Sequence, residues 1–381
     1  MHSTSVVYMH ALRWPFQENF DLPELSGLAP GKTLNLNLTT SDGVRLGAWF
    51  VAADGFYQQH LRPSPPTKTA SRGSVLAAEK DRSTYHPRTK LTSILPLALQ
   101  THPTILYFHG NAYTRALVFR SRFYSSLSSR LDSNVFVIDY RGFGDSEGVP
   151  SEEGLLVDAR AAWDWLIENG AKEGDVTVVG QSLGTGVSAG LVAALEGEGI
   201  SPRAMVLMAP FSSIAKLLET YNLFGRIPIL RPMRSFRSVF NIMITFLRHR
   251  FDTLSIINDI SCPITIIHAA DDWDIPILHA RTLFDSLLES SHPTHLSDPD
   301  EALLHRVPDP DMLRSAEVRG ARREALVAAK EVDGLGTIRR FERGASKGSV
   351  VMLETTWGEH NGIRDIEGVV DSIGWTVGKL E

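Results

Sequence analysis

The residue that is best placed to carry out chemistry is Ser182, which lies in a Gly-x-Ser-x-Gly pattern with Gly180 and Gly184. A β-branched run (176–180) precedes it and an apolar helical pattern follows it, so the sequence predicts a sharp strand-to-helix turn. Such a turn crowds the backbone around the serine, which is why its neighbours must be small. Because the pattern also occurs by chance, the surrounding residues decide whether Ser182 is a nucleophile.

Carboxylates and a histidine follow two later predicted strands. The strand at 263–268 is followed by Asp271, Asp272 and Asp274, and the strand at 349–354 is followed by His360. In open α/β sheets, reactive groups gather beyond the carboxyl ends of the strands. A nucleophile, an acid and a histidine are therefore expected at one edge of the sheet, in the order Ser, Asp, His.

These residue types fit nucleophilic catalysis on an acyl carbonyl. A serine hydroxyl attacks once an imidazole removes its proton, and a carboxylate keeps that imidazole in the useful tautomer. The resulting oxyanion needs hydrogen-bond donors already in place. We expect the backbone N–H groups of Leu183 and of Asn111, in the His-Gly-Asn turn after the strand at 104–108, to supply them.

The other polar residues near predicted strand ends are interpreted as structural. We expect His109 to support the turn that bears Asn111 and His268 to be a packing histidine, while Asp139, Arg141 and Asp145 brace the loop after the strand at 134–139. Metal binding by Asp271, Asp272 and Asp274 is a weak alternative, because no further ligands stand at suitable spacing. No Gly-Lys-Ser/Thr follows Ser182, so a nucleotide site is not expected. The predicted chemistry needs no cofactor and no metal.

The pattern of strands and helices predicts an α/β fold. Buried strands are expected at 104–108, 134–139, 176–180, 204–208 and 263–268, with helical patterns between them. This alternation implies a mostly parallel sheet flanked by helices. Residues 33–39 and 44–51, separated by Ser-Asp-Gly, predict an antiparallel opening hairpin.

Three segments interrupt the alternation, and we interpret 1–381 as a single domain that carries them. Residues 55–102 lose periodicity and are expected to form a poorly ordered insertion. Residues 212–258 are too long for a crossover helix and predict a helical cap. Residues 285–347 predict a second insertion, with a charged helical pattern near 311–331 whose charges face solvent.

The net charge, the cysteine content and the absence of visible targeting signals narrow the expected partners and the expected cellular compartment of the protein. The net charge of −6 argues against a general nucleic-acid binder. Cys262 is the only cysteine, which suits a reducing compartment. Neither a secretory signal nor a transmembrane run is visible, so we expect an intracellular protein that is cytoplasmic or peripherally bound to a membrane such as the endoplasmic reticulum.

The composition of residues 226–251 predicts that the surface of the cap is basic and apolar. They contain six arginines and no acidic residue, with Phe, Met, Leu and Ile between the arginines. A basic, apolar cap of this kind is compatible with peripheral contact to an anionic membrane. The alternative is a cap that packs its apolar residues on the core while the arginines stay solvated.

The segments "GQSLGTGVSAGLV", "MAPFSSI", "ISCPITIIHAADDWDIP" and "GEHNGI" resemble the α/β-hydrolase-domain serine hydrolases, especially their lysophosphatidylserine and monoacylglycerol lipase branch. The resemblance covers most of 20–281 and 349–375 and implies Ser182 as nucleophile, Asp272 as acid and His360 as base. Asp272 is preferred to Asp271 because the Trp-Asp-Ile-Pro turn after it is similar to the family's pattern. Residue 181 is Gln where many lipases carry His, and the N-terminal membrane helix typical of that branch is not visible.

The resemblance implies a helical cap over an α/β-hydrolase fold and hydrolysis of carboxylic esters through an acyl-enzyme. The implied substrates are lipid acyl esters, as for a monoacylglycerol lipase or lysophospholipase. Two other interpretations stay open. One is an acyl-protein thioesterase or an ester or lactone hydrolase of small-molecule metabolism, and the other is a catalytically silent binding protein with the same fold.

Overall fold

The computed structural model describes Tyr8 and residues 18–63, 87–220, 222–223, 227–228, 249–292, 321, 323, 325–344 and 346–376. The chain divides into two compact units. The first comprises Met1–Tyr107, Ala112–Pro150 and Arg160–Val176, and the second comprises Phe108–Asn111, Ser151–Ala159 and Thr177–Glu381.

The strands and helices follow one another in the predicted alternation. The strands are β1 (Thr33–Thr39), β2 (Arg45–Val51), β3 (Thr104–Phe108), β4 (Asn134–Ile138), β5 (Val176–Gln181), β6 (Ala204–Met208), β7 (Asn222–Leu223), β8 (Ile227–Pro228), β9 (Ile264–Ala269), β10 (Ala328–Val332), β11 (Gly336–Phe341) and β12 (Val350–Thr355). The helices are α1 (Asp54–Phe56), α2 (Pro87–Thr101), α3 (Val118–Arg130), α4 (Glu152–Glu168), α5 (Leu183–Gly197), α6 (Ile214–Thr220), α7 (Thr253–Ile256), α8 (Leu278–Ser291), α9 (Glu359–Gly362) and α10 (Glu367–Thr376).

The first unit is built on strands in the order β1-β2-β4-β3. The predicted hairpin is confirmed, because β1 and β2 pair antiparallel from Thr33 opposite Val51 to Thr39 opposite Arg45. Gly43 permits its turn by adopting a φ of 84°. Strand β2 pairs antiparallel with β4, and β4 pairs parallel with β3.

The acidic residues that follow β4 brace the first unit, as predicted. Arg115 is fully buried, and its Nη1 donates to Asp139 at 2.5 Å and to Asp145 at 2.6 Å. Arg141 forms a separate ion pair with Asp42, at 2.8 Å. A buried guanidinium needs such partners because an unpaired buried charge is strongly unfavourable.

The second unit is built on strands in the order β5-β6-β9-β12-β11-β10. The pairs β5/β6, β6/β9 and β9/β12 are parallel, which places the carboxyl ends of these four strands at one edge. Their apolar residues are buried on both faces, as expected for parallel strands covered by helices. Each of these strands lies within one residue of its predicted position.

The expectation of an irregular segment at 55–102 is wrong for its last part, where α2 is a regular helix. Leu91, Leu95, Ala98 and Leu99 are buried and recur at helical spacing, so one face of α2 packs on the first unit. Residues 64–86 of that segment lie outside the described residues.

The expectation of a charged helix near 311–331 is wrong at 328–331, which belong to β10. Strand β11 pairs with β10 and with β12, so this hairpin extends the sheet of the second unit. Phe341 anchors it by an edge-to-face contact with Phe284 of α8, at 5.0 Å between ring centroids. Residues 293–320 lie outside the described part.

The structure describes both ends of the predicted cap, 212–258, whereas 229–248 lie outside the described residues. Helix α6 and the two-residue ribbon of β7 and β8 form its start. At its end, the Glu152 carboxylate accepts the backbone N–H groups of Arg250 at 2.5 Å and Phe251 at 2.8 Å. This contact fixes the backbone of Arg250 and Phe251 beside the first residue of α4.

Candidate active site

Ser182 lies at a strained turn between β5 and α5. Its φ of 53° and ψ of −120° are unusual for a residue with a side chain. The flanking glycines make this turn possible: a Cβ on Gly180 would lie 2.2 Å from the carbonyl oxygen of Gly184, and one on Gly184 would lie 2.0 Å from that of Phe108. The Gly-x-Ser-x-Gly pattern is thus a steric requirement of the turn.

The structure brings Ser182, His360 and Asp272 together in one hydrogen-bonded chain. His360 Nε2 lies 2.9 Å from Ser182 Oγ, and His360 Nδ1 lies 2.8 Å from Asp272 Oδ2. A carboxylate only accepts hydrogen bonds, so the Nδ1 of a neutral His360 carries the proton and donates it. Nε2 then has a free electron pair that faces the serine hydroxyl.

Asp272 is held as a carboxylate by donors around both oxygens. Its Oδ1 accepts the backbone N–H groups of Asp274 and Ile275, at 2.9 and 2.8 Å. The His268 Nε2 lies 3.3 Å from Oδ2, the oxygen that His360 also contacts. Burial by itself raises the pKa of Asp272, but the imidazoles of His268 and His360 outweigh burial and hold that pKa well below its usual range.

The neighbouring acidic residues have other environments. The Asp271 carboxylate accepts the backbone N–H groups of Gly358 at 3.3 Å and Glu359 at 2.8 Å, which ties the acid-bearing loop to the base-bearing loop. Burial raises the pKa of Asp274, whose carboxylate therefore ionises less readily than usual. In the portion of the chain described above, no group of three His, Cys, Asp or Glu side chains is placed to hold a metal.

The turn that bears Asn111 passes directly against Ser182. A Cβ on Gly110 would lie 3.4 Å from the Ser182 Cβ and 3.9 Å from its Oγ. His109 is fully buried, and its Nδ1 lies 2.8 Å from the carbonyl oxygen of Gly110, in agreement with a supporting role for this turn. Leu183 begins α5, so its backbone N–H lies at the helix N-terminus, where anions are stabilised.

Side chains outside the predicted set also reach the site. Gln181 contacts the carbonyl of His360, and Arg364 contacts Gln181. His268, interpreted from the sequence as a packing histidine, is fully buried, and its Nε2 lies 2.9 Å from the carbonyl oxygen of Ile275 and 3.3 Å from Asp272 Oδ2. In the sequence, His268 precedes Asp272 by four residues and Arg364 follows His360 by four, but these spacings do not by themselves show which side chains meet in the folded chain.

None of the helices that the structure describes is long and apolar enough to cross a membrane.

Comparison with known proteins gives the context for this geometry. Residues 105–334 match the model of the alpha/beta hydrolase family. Over 286 residues the chain is 32% identical to lysophosphatidylserine lipase ABHD12 of Danio rerio, a match that covers 75% of this chain and 66% of that protein. It is 31% identical to protein ABHD12B of Homo sapiens, over 74% of this chain and 68% of that one. The chain thus spans just under two thirds of the Danio rerio protein.

Among solved structures, the esterase PF2001 of Pyrococcus furiosus is similar in fold. It superposes with a TM-score of 0.52 and 13% sequence identity, over 97% of this chain and 96% of that chain. This likeness concerns the fold, a mostly parallel central sheet flanked by helices, and confirms the predicted fold class.

Proposed function

This chain belongs to the alpha/beta hydrolase family, and on that premise we propose that it hydrolyses acyl esters through Ser182, His360 and Asp272. The observation that carries the proposal is the hydrogen-bonded chain from Ser182 Oγ through His360 to the Asp272 carboxylate, at 2.9 and 2.8 Å. An ionised acid, an oriented imidazole and a serine at a strained turn together provide an activated nucleophile.

The first half of the reaction acylates Ser182. Its Oγ attacks the carbonyl carbon of the ester while His360 Nε2 takes the hydroxyl proton, and the Asp272 carboxylate stabilises the imidazolium that forms. The C–O bond to the alcohol then breaks, and His360 returns the proton to the departing oxygen. The acyl group stays on Ser182 as an ester.

We assign oxyanion stabilisation to the backbone N–H groups of Asn111 and Leu183. Both residues adjoin Ser182, Leu183 as the next residue in the chain and Asn111 through the turn that packs on the Ser182 side chain. Removing one donor of this kind typically raises the barrier by about 2.7–4 kcal/mol. In the second half-reaction water attacks the acyl-enzyme, with His360 as base, and releases the carboxylic acid.

We propose lipid monoacyl esters, such as lysophospholipids, as the substrates. The support is the similarity to lysophosphatidylserine lipases and the apolar, arginine-rich composition of 226–251. Peripheral membrane contact through 226–251 is part of this proposal, although most of that segment lies outside the described residues. An intracellular location likewise remains a prediction from composition.

A substrate panel tests this proposal. It contains a lysophosphatidylserine, a lysophosphatidylcholine, a monoacylglycerol, a palmitoyl thioester and a short p-nitrophenyl ester, each with the Ser182→Ala variant as blank. We expect the lysophospholipids or monoacylglycerol to give the highest kcat/KM. A preference for the thioester or the short ester would replace the lipase proposal, and turnover that survives in Ser182→Ala would refute the catalytic assignment.

A further inference from the structure

The base-bearing turn has little intrinsic stability of its own. His360 lies on α9, a single four-residue turn of helix, and a short 3₁₀ turn, Ile363–Asp365, follows it. Gly358, which precedes α9, and Glu359, which begins it, have φ values of 135° and 51°. A helix this short does not persist without tertiary contacts, so the position of His360 depends on side chains from elsewhere.

Gln181 makes one such contact from the nucleophile's own strand. It is 2% exposed, it ends β5, and it directly precedes Ser182. Its Nε2 donates to the carbonyl oxygen of His360 at 3.4 Å, and its Oε1 accepts Arg364 Nη1 at 3.0 Å. The guanidinium only donates and the carbonyl only accepts, so these two neighbours fix the orientation of the amide.

Arg364 is buried without a counterion among the described residues. It is 6% exposed, and its guanidinium contacts are to neutral oxygens, Gln181 Oε1 and, at 3.5 Å, Asn361 Oδ1. Its Nε is buried with no hydrogen-bond partner in the described structure. A buried cation in such surroundings is unfavourable for stability, and unfavourable features of this kind concentrate at functional sites.

The geometry points to Gln181 and Arg364 as positioning residues that hold the His360 turn at hydrogen-bonding distance from Ser182. This inference rests on the proposed function. Arg364 orients the side-chain amide of Gln181. This amide in turn donates to the backbone carbonyl of His360, so the residue before Ser182 is linked directly to the residue that bears the base. Asp271 holds Gly358 and Glu359 from the other side, so the turn is fixed at both of its ends.

The test compares two near-isosteric variants with a buried-arginine control. Gln181→Glu keeps an oxygen for Arg364 but places a carboxylate oxygen against the His360 carbonyl, and Arg364→Met removes the guanidinium. The control is Arg343→Met, because Arg343 is also buried but donates to the carbonyls of Ile260, Cys262 and Gly348, away from the triad. Each protein is assayed on a p-nitrophenyl ester after circular dichroism confirms folding.

We expect kcat to fall by about 10- to 100-fold in Gln181→Glu and Arg364→Met with KM changed by less than about threefold, since small displacements of catalytic groups act on kcat. Arg343→Met should lower the melting temperature and leave kcat within about twofold. In a His360→Ala background, Gln181→Glu should have no further effect, because no base is left to position.

Wild-type kcat in Gln181→Glu, or an equal loss with and without His360, would overturn the inference. If Arg364→Met does not fold, Gln181→Glu alone decides, and Arg364→Lys, which keeps a donor for Gln181, should retain more kcat than Arg364→Met. A wild-type protein without turnover would refute the proposed function instead, and the two failures are therefore distinct.

Discussion

Two adjacent aspartates contribute to the site in different ways. Asp272 is buried, and its carboxylate contacts His360 directly. Asp271 is exposed and contacts only backbone N–H groups of the base-bearing loop among the bonds described above. The difference in burial and in partner predicts very different effects for the same substitution at the two positions.

We predict that Asp272→Asn lowers kcat by about 10⁴-fold, because the amide favours the wrong imidazole tautomer and cannot stabilise the imidazolium. Asp271→Asn should lower kcat by less than about tenfold, since an exposed contact to the backbone contributes little. Steady-state kinetics on a p-nitrophenyl ester, with thermal melts for folding, measure both. A larger loss in Asp271→Asn would reverse the assignment of the acid.

At the residue scale, the sequence was sufficient to propose Ser182, Asp272 and His360, which the structure places in contact. The spacing within two motifs and the family pattern were enough because strand ends meet at one edge of the sheet. The roles of His268 and Arg364 were not predictable in the same way. They depend on which side chains face each other after folding, and periodicity carries no information about that.

At the scale of elements, the helix that follows the nucleophile must approach the carbonyl group of Phe108 closely. Gly184 in α5 leaves no room for a side chain beside the carbonyl of Phe108, whereas Gly197, at the other end of α5, has no atom within 4 Å of the position of a Cβ. Glycine-to-alanine substitutions at these two positions of one helix therefore compare a crowded site with an open one.

We predict that Gly184→Ala lowers the free energy of unfolding by about 1–3 kcal/mol or more and abolishes turnover, because the backbone at Ser182 must shift. Gly197→Ala should leave turnover intact and stabilise the protein by up to about 1 kcal/mol through helix propensity. Urea unfolding and ester hydrolysis check both variants. Normal turnover in a folded Gly184→Ala protein would show that the Ser182 turn still works when α5 lies further from the Phe108 carbonyl.

A buried histidine connects α8 with residues at both ends of α6. His279 Nδ1 accepts the backbone N–H of Ser212 at 3.3 Å, and its Nε2 lies 2.8 Å from Thr220 Oγ1 at the end of α6. Burial first, and then the charges of His268 and Lys216, lower the pKa of His279 from 6.5 to about 4. The folded protein therefore keeps this imidazole neutral where an unfolded chain would protonate it.

The sign of the pH effect follows from that lowered pKa. Above pH 6.5 the imidazole is neutral in both states, and between pH 6.5 and about 4 the unfolded chain binds a proton that the folded protein does not. Stability should thus fall by up to about 3 kcal/mol over this window. His279→Gln should flatten the dependence of the melting temperature on pH relative to the wild-type protein. Equal slopes for wild type and His279→Gln would contradict the prediction.

The elements that the sequence did not predict share a physical cause. Helix α2 contains Pro96 and follows a Pro- and Ser-rich stretch, so local signals favoured irregular structure although its buried face has helical spacing. Strand β10 has the sequence AAKEV, whose intrinsic preference is helical. Its pairing with β11, a contact fixed only in the folded chain, outweighs that preference.

At the scale of the whole molecule, the order of the motifs mattered more than their individual sequences. Gly-x-Ser-x-Gly alone is weak evidence, but a serine, an aspartate and a histidine that each follow a strand of one parallel sheet must meet at its edge. The second unit contains all three residues. The alternation of strands and helices was therefore enough to predict the fold class. The proposed substrate class rests instead on the similarity to lysophosphatidylserine lipases and on the composition of 226–251.

The most direct test of the account is covalent labelling with a fluorophosphonate probe, followed by mass spectrometry of the labelled peptide. Only an activated serine reacts rapidly with such a probe. We predict one rapidly labelled residue, Ser182, with labelling abolished in Ser182→Ala and strongly slowed in His360→Ala and Asp272→Asn. Folded wild-type protein that does not label, or labelling that persists in Ser182→Ala, would contradict the catalytic account.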